Sequence, residues 1–73
     1  MELRAGDIRD LFPVLEEPVR TGKGIRLVVL TKHGPKILWA SRKWISLFRY
    51  RENGRTVLEA GIPVWLQEKA GLN

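Results

Sequence analysis

Side chains able to do covalent or acid–base chemistry are scarce in this 73-residue sequence, which has one histidine and no cysteine. His33 stands beside Gly34 and Pro35 in a turn-forming stretch, with no serine, cysteine or acidic neighbour to complete a nucleophile and base pair. A metal site normally takes three or four ligands, and no second histidine exists to supply one. Glu16 and Glu17 are adjacent, so an extended chain points them to opposite sides, the wrong arrangement for a cooperating acid and base. Gly22-Lys23-Gly24 places a lysine between glycines but lacks the GxxxxGK-Ser/Thr spacing and the following helix of a phosphate loop, so it reads as a turn. We therefore expect no enzymatic activity, no catalytic residue, no metal and no cofactor. What the sequence does offer is Trp39, Trp44, Phe48 and Tyr50 interleaved with Arg42, Lys43, Arg49 and Arg51. Proteins that hold single-stranded nucleic acid use this mixture, stacking bases on rings while cations neutralise phosphates. Trp44 and Tyr50 are the candidates for stacking; the bland alternative is that so small a domain needs its large rings for the core.

The charges are segregated along the chain. Residues 1–19 carry two basic against five acidic groups, residues 56–73 one against two, and the stretch between them ten against one, within a net charge of +5. The ten are Arg20, Lys23, Arg26, Lys32, Lys36, Arg42, Lys43, Arg49, Arg51 and Arg55, which we expect to form a basic face able to steer a polyanion or an acidic protein surface. Ordinary solvated strand faces, compensated by the acidic head, would account for the same numbers.

The elements that must position these groups make a single domain over residues 1–73, with residues 1–19 as an acidic N-terminal arm. In the arm, Asp7 can cap a short helical turn that puts Ile8, Leu11 and Phe12 on one face before Pro13 ends it. A first strand lies near Val19. Ile25 to Leu30 alternates Ile25, Leu27 and Val29 with Arg26, Val28 and Leu30 and reads as a central strand; Lys36 to Ala40 returns antiparallel after a turn at residues 31–34. Trp44 to Arg51 alternates again, Trp44, Ser46, Phe48 and Tyr50 against Ile45, Leu47, Arg49 and Arg51, and either face could be the buried one. Asn53-Gly54 predicts a type I′ hairpin that pairs Thr56 to Ala60 back. A final helix is predicted from Pro63, at its first position, to Ala70, stopped by Gly71 with Leu72 folding back on Leu66. The expected class is α+β, mostly β: an antiparallel meander of three to five strands, small and barrel-like, closed by a short C-terminal helix. No apolar run approaches the roughly 20 residues of a membrane span, so a cytoplasmic location and no membrane partner are expected.

Three segments, GIRLV at 24–28, WASRKWI at 39–45 and IPVWLQEKAGL at 62–72, resemble the KAxLV, WxPKSxI and IPxWLAxxKGL arrangement of small proteins and domain tails encoded by bacteriophages and prophages. The third segment matches closely. In the second, Trp39, the basic position at Arg42 and Ile45 agree, while Ser41 replaces proline, Arg42 lysine and Lys43 serine. The resemblance leaves the acidic head uncovered. It implies a β-rich accessory protein without catalytic residues. In type, though not in motif, size and bipolar charge resemble phage regulators of host RNA polymerase. The leading expectation is thus a protein partner in the host transcription machinery, bound so as to inhibit or modulate transcription. Leu3, Arg4, Ile8, Leu11 and Phe12 of the arm would be the anchors, beside the basic middle. The arm equally suits the covering of an open sheet edge. The alternatives are direct binding of single-stranded DNA or RNA on the basic aromatic face, and a structural homodimer, with a monomer favoured.

Overall fold

The structure, a computed structural model, describes residues 9–73. Strands β1 (Arg9–Pro13), β2 (Val19–Thr21), β3 (Gly24–Thr31), β4 (Gly34–Ser41), β5 (Ser46–Glu52) and β6 (Arg55–Pro63) are followed by helix α1 (Val64–Ala70), with a 3-10 turn at Arg42–Trp44 between β4 and β5. They form two antiparallel three-stranded sheets in the orders β1-β6-β5 and β2-β3-β4. The mostly-β class with a short terminal helix is therefore as the sequence predicts, and five of the six strands answer to predicted ones.

The sixth, β1, is a correction. Residues 9–13 are extended and pair with β6 from Arg9↔Pro63 to Pro13↔Glu59, where the spacing of Ile8, Leu11 and Phe12 predicts a helical turn. A strand's alternation separates these two side chains: Phe12 packs against the core and Leu11 is 56% exposed on the outer face. Pairing satisfies the free edge of β6 along its last five residues, a demand that a helical turn would leave unmet. Covering an edge is thus what this part of the head does, and Phe12, turned inward, is no surface anchor. Leu3, Arg4 and Ile8 lie outside the described residues.

The two sheets are stitched together just after β1. Val14 donates its N–H to Leu58 O at 2.9 Å and bridges to Val29, and Leu15 donates to Val28 O at 2.8 Å. This is feasible because β2 covers only Gly24–Arg26 of β3, leaving the other half of that edge free. Between the sheets, Ile25, Leu27 and Val29 of β3 meet Leu38 of β4 and Ala60 and Ile62 of β6 in one core, with Leu66 and Leu72 included. Each such valine, leucine or isoleucine side chain, taken out of water, contributes about 1.5–3 kcal/mol.

Local signals fix the ends of the elements. Asn53 and Gly54 have φ of 51° and 77°, the two positive values a type I′ turn requires. Gly71 is left-handed; its N–H donates to Glu68 O and that of Leu72 to Gln67 O, the two bonds of a Schellman stop, and buried Leu72 shares the core cluster with Leu66. Pro63 differs from expectation by one place. With ψ of 143° it is still extended, paired with Arg9 as the last residue of β6, and α1 begins at Val64. Gln67 ties the helix down: its buried amide donates to Ile62 O at 2.8 Å and to Asp10 Oδ2 at 3.0 Å.

Candidate binding cleft

The chain's three tryptophans come together. Trp39 near the end of β4, Trp44 at the end of the 3-10 turn and Trp65 in the first turn of α1 line one cleft of about 350 Å³, with Leu66, Ser41 and Lys69. They are 62%, 39% and 38% exposed, so all three rings keep surface for a ligand. The alternation along β4 buries Leu38 and turns Trp39 outward. On α1, Trp65 and Lys69 are four residues apart and so share a face, while Leu66 and Gln67 go inward.

Trp44 is fixed from several sides. Its ring meets that of Trp65 edge-on, with centroids 5.3 Å apart and planes at 90°. The Lys43 ammonium stands 4.9 Å from its ring centroid. Its carbonyl accepts a 2.6 Å hydrogen bond from the Arg9 guanidinium, which also reaches Gly61 O at 3.4 Å. Gly61 lies under this crossing: a Cβ built there would sit at ordinary contact distance, 3.4 Å from the Phe48 ring and 3.8 Å from the Arg9 side chain.

Cations border the cleft. Beyond Lys43 and Lys69, Arg42 donates its backbone N–H to Lys23 O at 2.8 Å, which holds the β2–β3 turn against the 3-10 turn. Lys23, Ser41, Arg42 and Lys43 line a shallow depression that shares Ser41 with the tryptophan cleft. The register also sets Arg26 directly across from Trp39, with Val19 on its other side, on the outer face of the β2-β3-β4 sheet. Aromatic faces with a cationic margin suit a planar, anionic ligand.

The ten basic residues expected to form one face do not do so. Lys23, Arg26, Arg42 and Lys43 gather near the cleft. Lys32 lies in the β3–β4 turn and Lys36 just after it, whereas Arg51 and Arg55 lie at the β5–β6 turn. Both hairpins reverse direction at the ends opposite those that carry the tryptophans. Arg20 and Arg49 stand on strand faces turned toward the core side, for Arg20 pairs with buried Ile25, and Arg49 shares the face of Leu47. The physical reason is that the β-hairpin alternation, and not charge, distributes these positions.

The open question of which face of residues 44–51 is buried resolves to that of Ile45 and Leu47, which pack against the core, leaving Phe48 and Tyr50 outward. Tyr50 is not brought to the cleft. Its hydroxyl donates to Glu59 Oε1 at 2.5 Å, and this bond, together with the negative charges of Glu59 and Glu52, holds the phenol above its ordinary pKa. Those carboxylates also make the place unwelcoming to phosphate. His33 lies in a turn closed by Thr31: its backbone N–H donates to Thr31 Oγ1, and that hydroxyl donates to Gly34 O. Among the described residues, no group of three or more His, Cys, Asp or Glu could hold a metal, and no helix is long and apolar enough to cross a membrane.

Trp65, Lys69 and Arg9 are members of the cleft, or position it, that the sequence reading did not single out. The four-residue interval of Trp65 and Lys69 on a recognised helix was the available signal. Comparison with protein-family models, curated proteins and solved structures finds no match to this chain.

Proposed function

We propose that this chain is a non-enzymatic binding protein that holds a single-stranded nucleic acid, with bases stacked in the tryptophan cleft and the phosphodiester backbone on the adjoining cations. The observation that carries this reading is the convergence of Trp39, Trp44 and Trp65, all part-exposed, on one cleft bordered by Lys43 and Lys69. Each stacked base contributes about 1–3 kcal/mol, and stacking tolerates any base because each has a π-face. Duplex DNA keeps its bases stacked on each other and offers the cleft none.

The test is a fluorescence titration with labelled oligothymidylate and a duplex of equal length, at low and at physiological salt. The expected result is quenching of tryptophan emission by the single strand, tighter binding of the single strand than of the duplex, and affinity that falls as salt rises. Absence of binding at low salt would sink the reading.

A second reading, a regulator docked on a protein of the host transcription machinery, draws support from a different feature. Val19, Leu30 and Ile37 are exposed on the outer face of the β2-β3-β4 sheet, beside Trp39. Exposed apolar groups in one area suit a protein surface better than a polyanion. Capture of a transcription subunit from nuclease-treated bacterial lysate, lost on Ile37→Glu, is its expected signature; capture that disappears with nuclease treatment alone belongs to the first reading.

A further inference from the structure

A second and larger depression, about 560 Å³, opens where the segment leading into β2 faces β5 and β6. Leu47 and Leu58 give it an apolar floor, and Arg20, Arg49 and Glu17 stand around it. Two arginines from different sheets therefore line one concave place, each from a strand position whose alternation points toward the core side. Both side chains remain exposed, so they keep their charge and hydration and stand available to an anion. The Glu17 carboxylate pairs with Arg49, with Oε1 2.5 Å from Nη2, through a single contact between side chains that are 72% and 54% exposed. Among the described residues, the Arg20 side chain makes no hydrogen bond or ion pair.

We propose that this depression is an anion site for a phosphate group, and that Glu17 is an intramolecular substitute that occupies it until a phosphate displaces it. A guanidinium has five donors in a planar fork that matches phosphate oxygens, and the Glu17 contact uses one oxygen and one nitrogen of that capacity. The exposed pair is weak, so a more highly charged anion touching both arginines displaces it readily. Shared residues link the site to the cleft. Arg20 and Leu47 border a further depression with Arg42 and Lys43, and those two residues border a shallow one that shares Ser41 with the tryptophan cleft. The inference thus rests, for its nucleic-acid form, on the proposed function: a strand whose bases occupy the tryptophan cleft would run its phosphates over Lys43 and Arg42 to Arg20 and Arg49, and would have to expel Glu17 at the far end.

The test has two arms. In the first, inorganic phosphate is titrated into the wild-type chain and into Glu17→Gln while the guanidinium resonances of Arg20 and Arg49 are followed by NMR. Both resonances are expected to shift, and Glu17→Gln is expected to bind phosphate about two- to five-fold more tightly, the range set by an exposed ion pair. In the second, oligothymidylates of about three and about twelve nucleotides are compared. The longer one should gain from Glu17→Gln and lose from Arg49→Ala, and the shorter one, which fills only the cleft, should respond to neither. Equal phosphate affinity in the two chains, or guanidinium shifts confined to Arg42, overturns the anion site even if oligothymidylate still quenches the tryptophans. Phosphate binding that obeys the first arm, with no oligonucleotide binding at all, overturns the nucleic-acid reading and leaves a site for free phosphate.

Discussion

Trp44 is the most constrained residue of the cleft, braced by the edge of Trp65, the Lys43 ammonium and the Arg9 bond to its carbonyl. A ring held this way loses little freedom when a base stacks on it, so removing it should cost most of one stacking contribution. Trp44→Ala is expected to weaken oligothymidylate binding by roughly 5- to 150-fold, the equivalent of about 1–3 kcal/mol, with the fold unchanged by circular dichroism. Arg9→Ala keeps every ring and should weaken binding less, through a less well-placed Trp44. Tyr50 makes a separate prediction because it is the chain's single tyrosine and its phenolate absorbance can be read without assignment. The Glu59 hydrogen bond raises its pKa in the folded state. The folded protein therefore keeps a proton that the unfolded chain has already released, and the contribution is present below the ordinary phenol pKa and lost as pH rises through the raised one. Glu59→Gln should move the phenolate transition to lower pH, and Tyr50→Phe should flatten the alkaline end of the stability profile. A phenolate midpoint unmoved by Glu59→Gln would show that the bond is not made in solution.

At the scale of elements, the C-terminal stop is the cleanest case of a short-range signal that sets a structure. Gly71 has φ of 71°, yet a Cβ built there meets nothing within 4 Å, so Gly71→Ala tests backbone conformation without a clash. It is expected to lower stability by about 1–2 kcal/mol, the cost of left-handed backbone for an ordinary residue, and the melting temperature by roughly 4–8 °C for each kcal/mol. Gln67→Ala should cost a comparable amount for a different reason: it strips Ile62 O of a buried partner and cuts the tie between α1 and β1. Such local features, the Asn53-Gly54 turn, the Gly71 stop and the alternation of residues 25–30, were legible in the sequence because neighbours along the chain decide them. Strand β1 was not, since the sequence spacing of Ile8, Leu11 and Phe12 fits a helical turn, and the choice belongs to the free edge of β6, about fifty residues away. The same limit applies to the cleft. Trp44 and Lys43 stand out by composition, but the approach of Trp65 to Trp44 requires the whole β5–β6 hairpin to bring α1 round, and the inward turn of Arg20 and Arg49 is set by strand register.

At the scale of the molecule, the distribution of charge decides more than its sum. The protein measures 36 × 30 × 27 Å, and an eight-residue hairpin arm is about 23 Å long, nearly three times the ~8 Å over which physiological salt screens charge. Lys32 and Lys36 at one hairpin tip therefore act almost independently of Arg42 and Lys43 beside the tryptophans. Steering by net charge would treat the two pairs alike, because each removes two charges from the same total. Binding in the cleft would not. We expect Arg42→Gln with Lys43→Gln to weaken oligothymidylate binding and to lower the slope of log K against log salt by about 1.4, near 0.7 for each lost phosphate contact on a single strand. Lys32→Gln with Lys36→Gln should leave both quantities close to wild type and reduce only the association rate at low salt, where screening lengthens. Equal loss of slope in the two double variants would mean that the strand is held by the diffuse field of the whole protein, and would remove the reason to assign it to the tryptophan cleft.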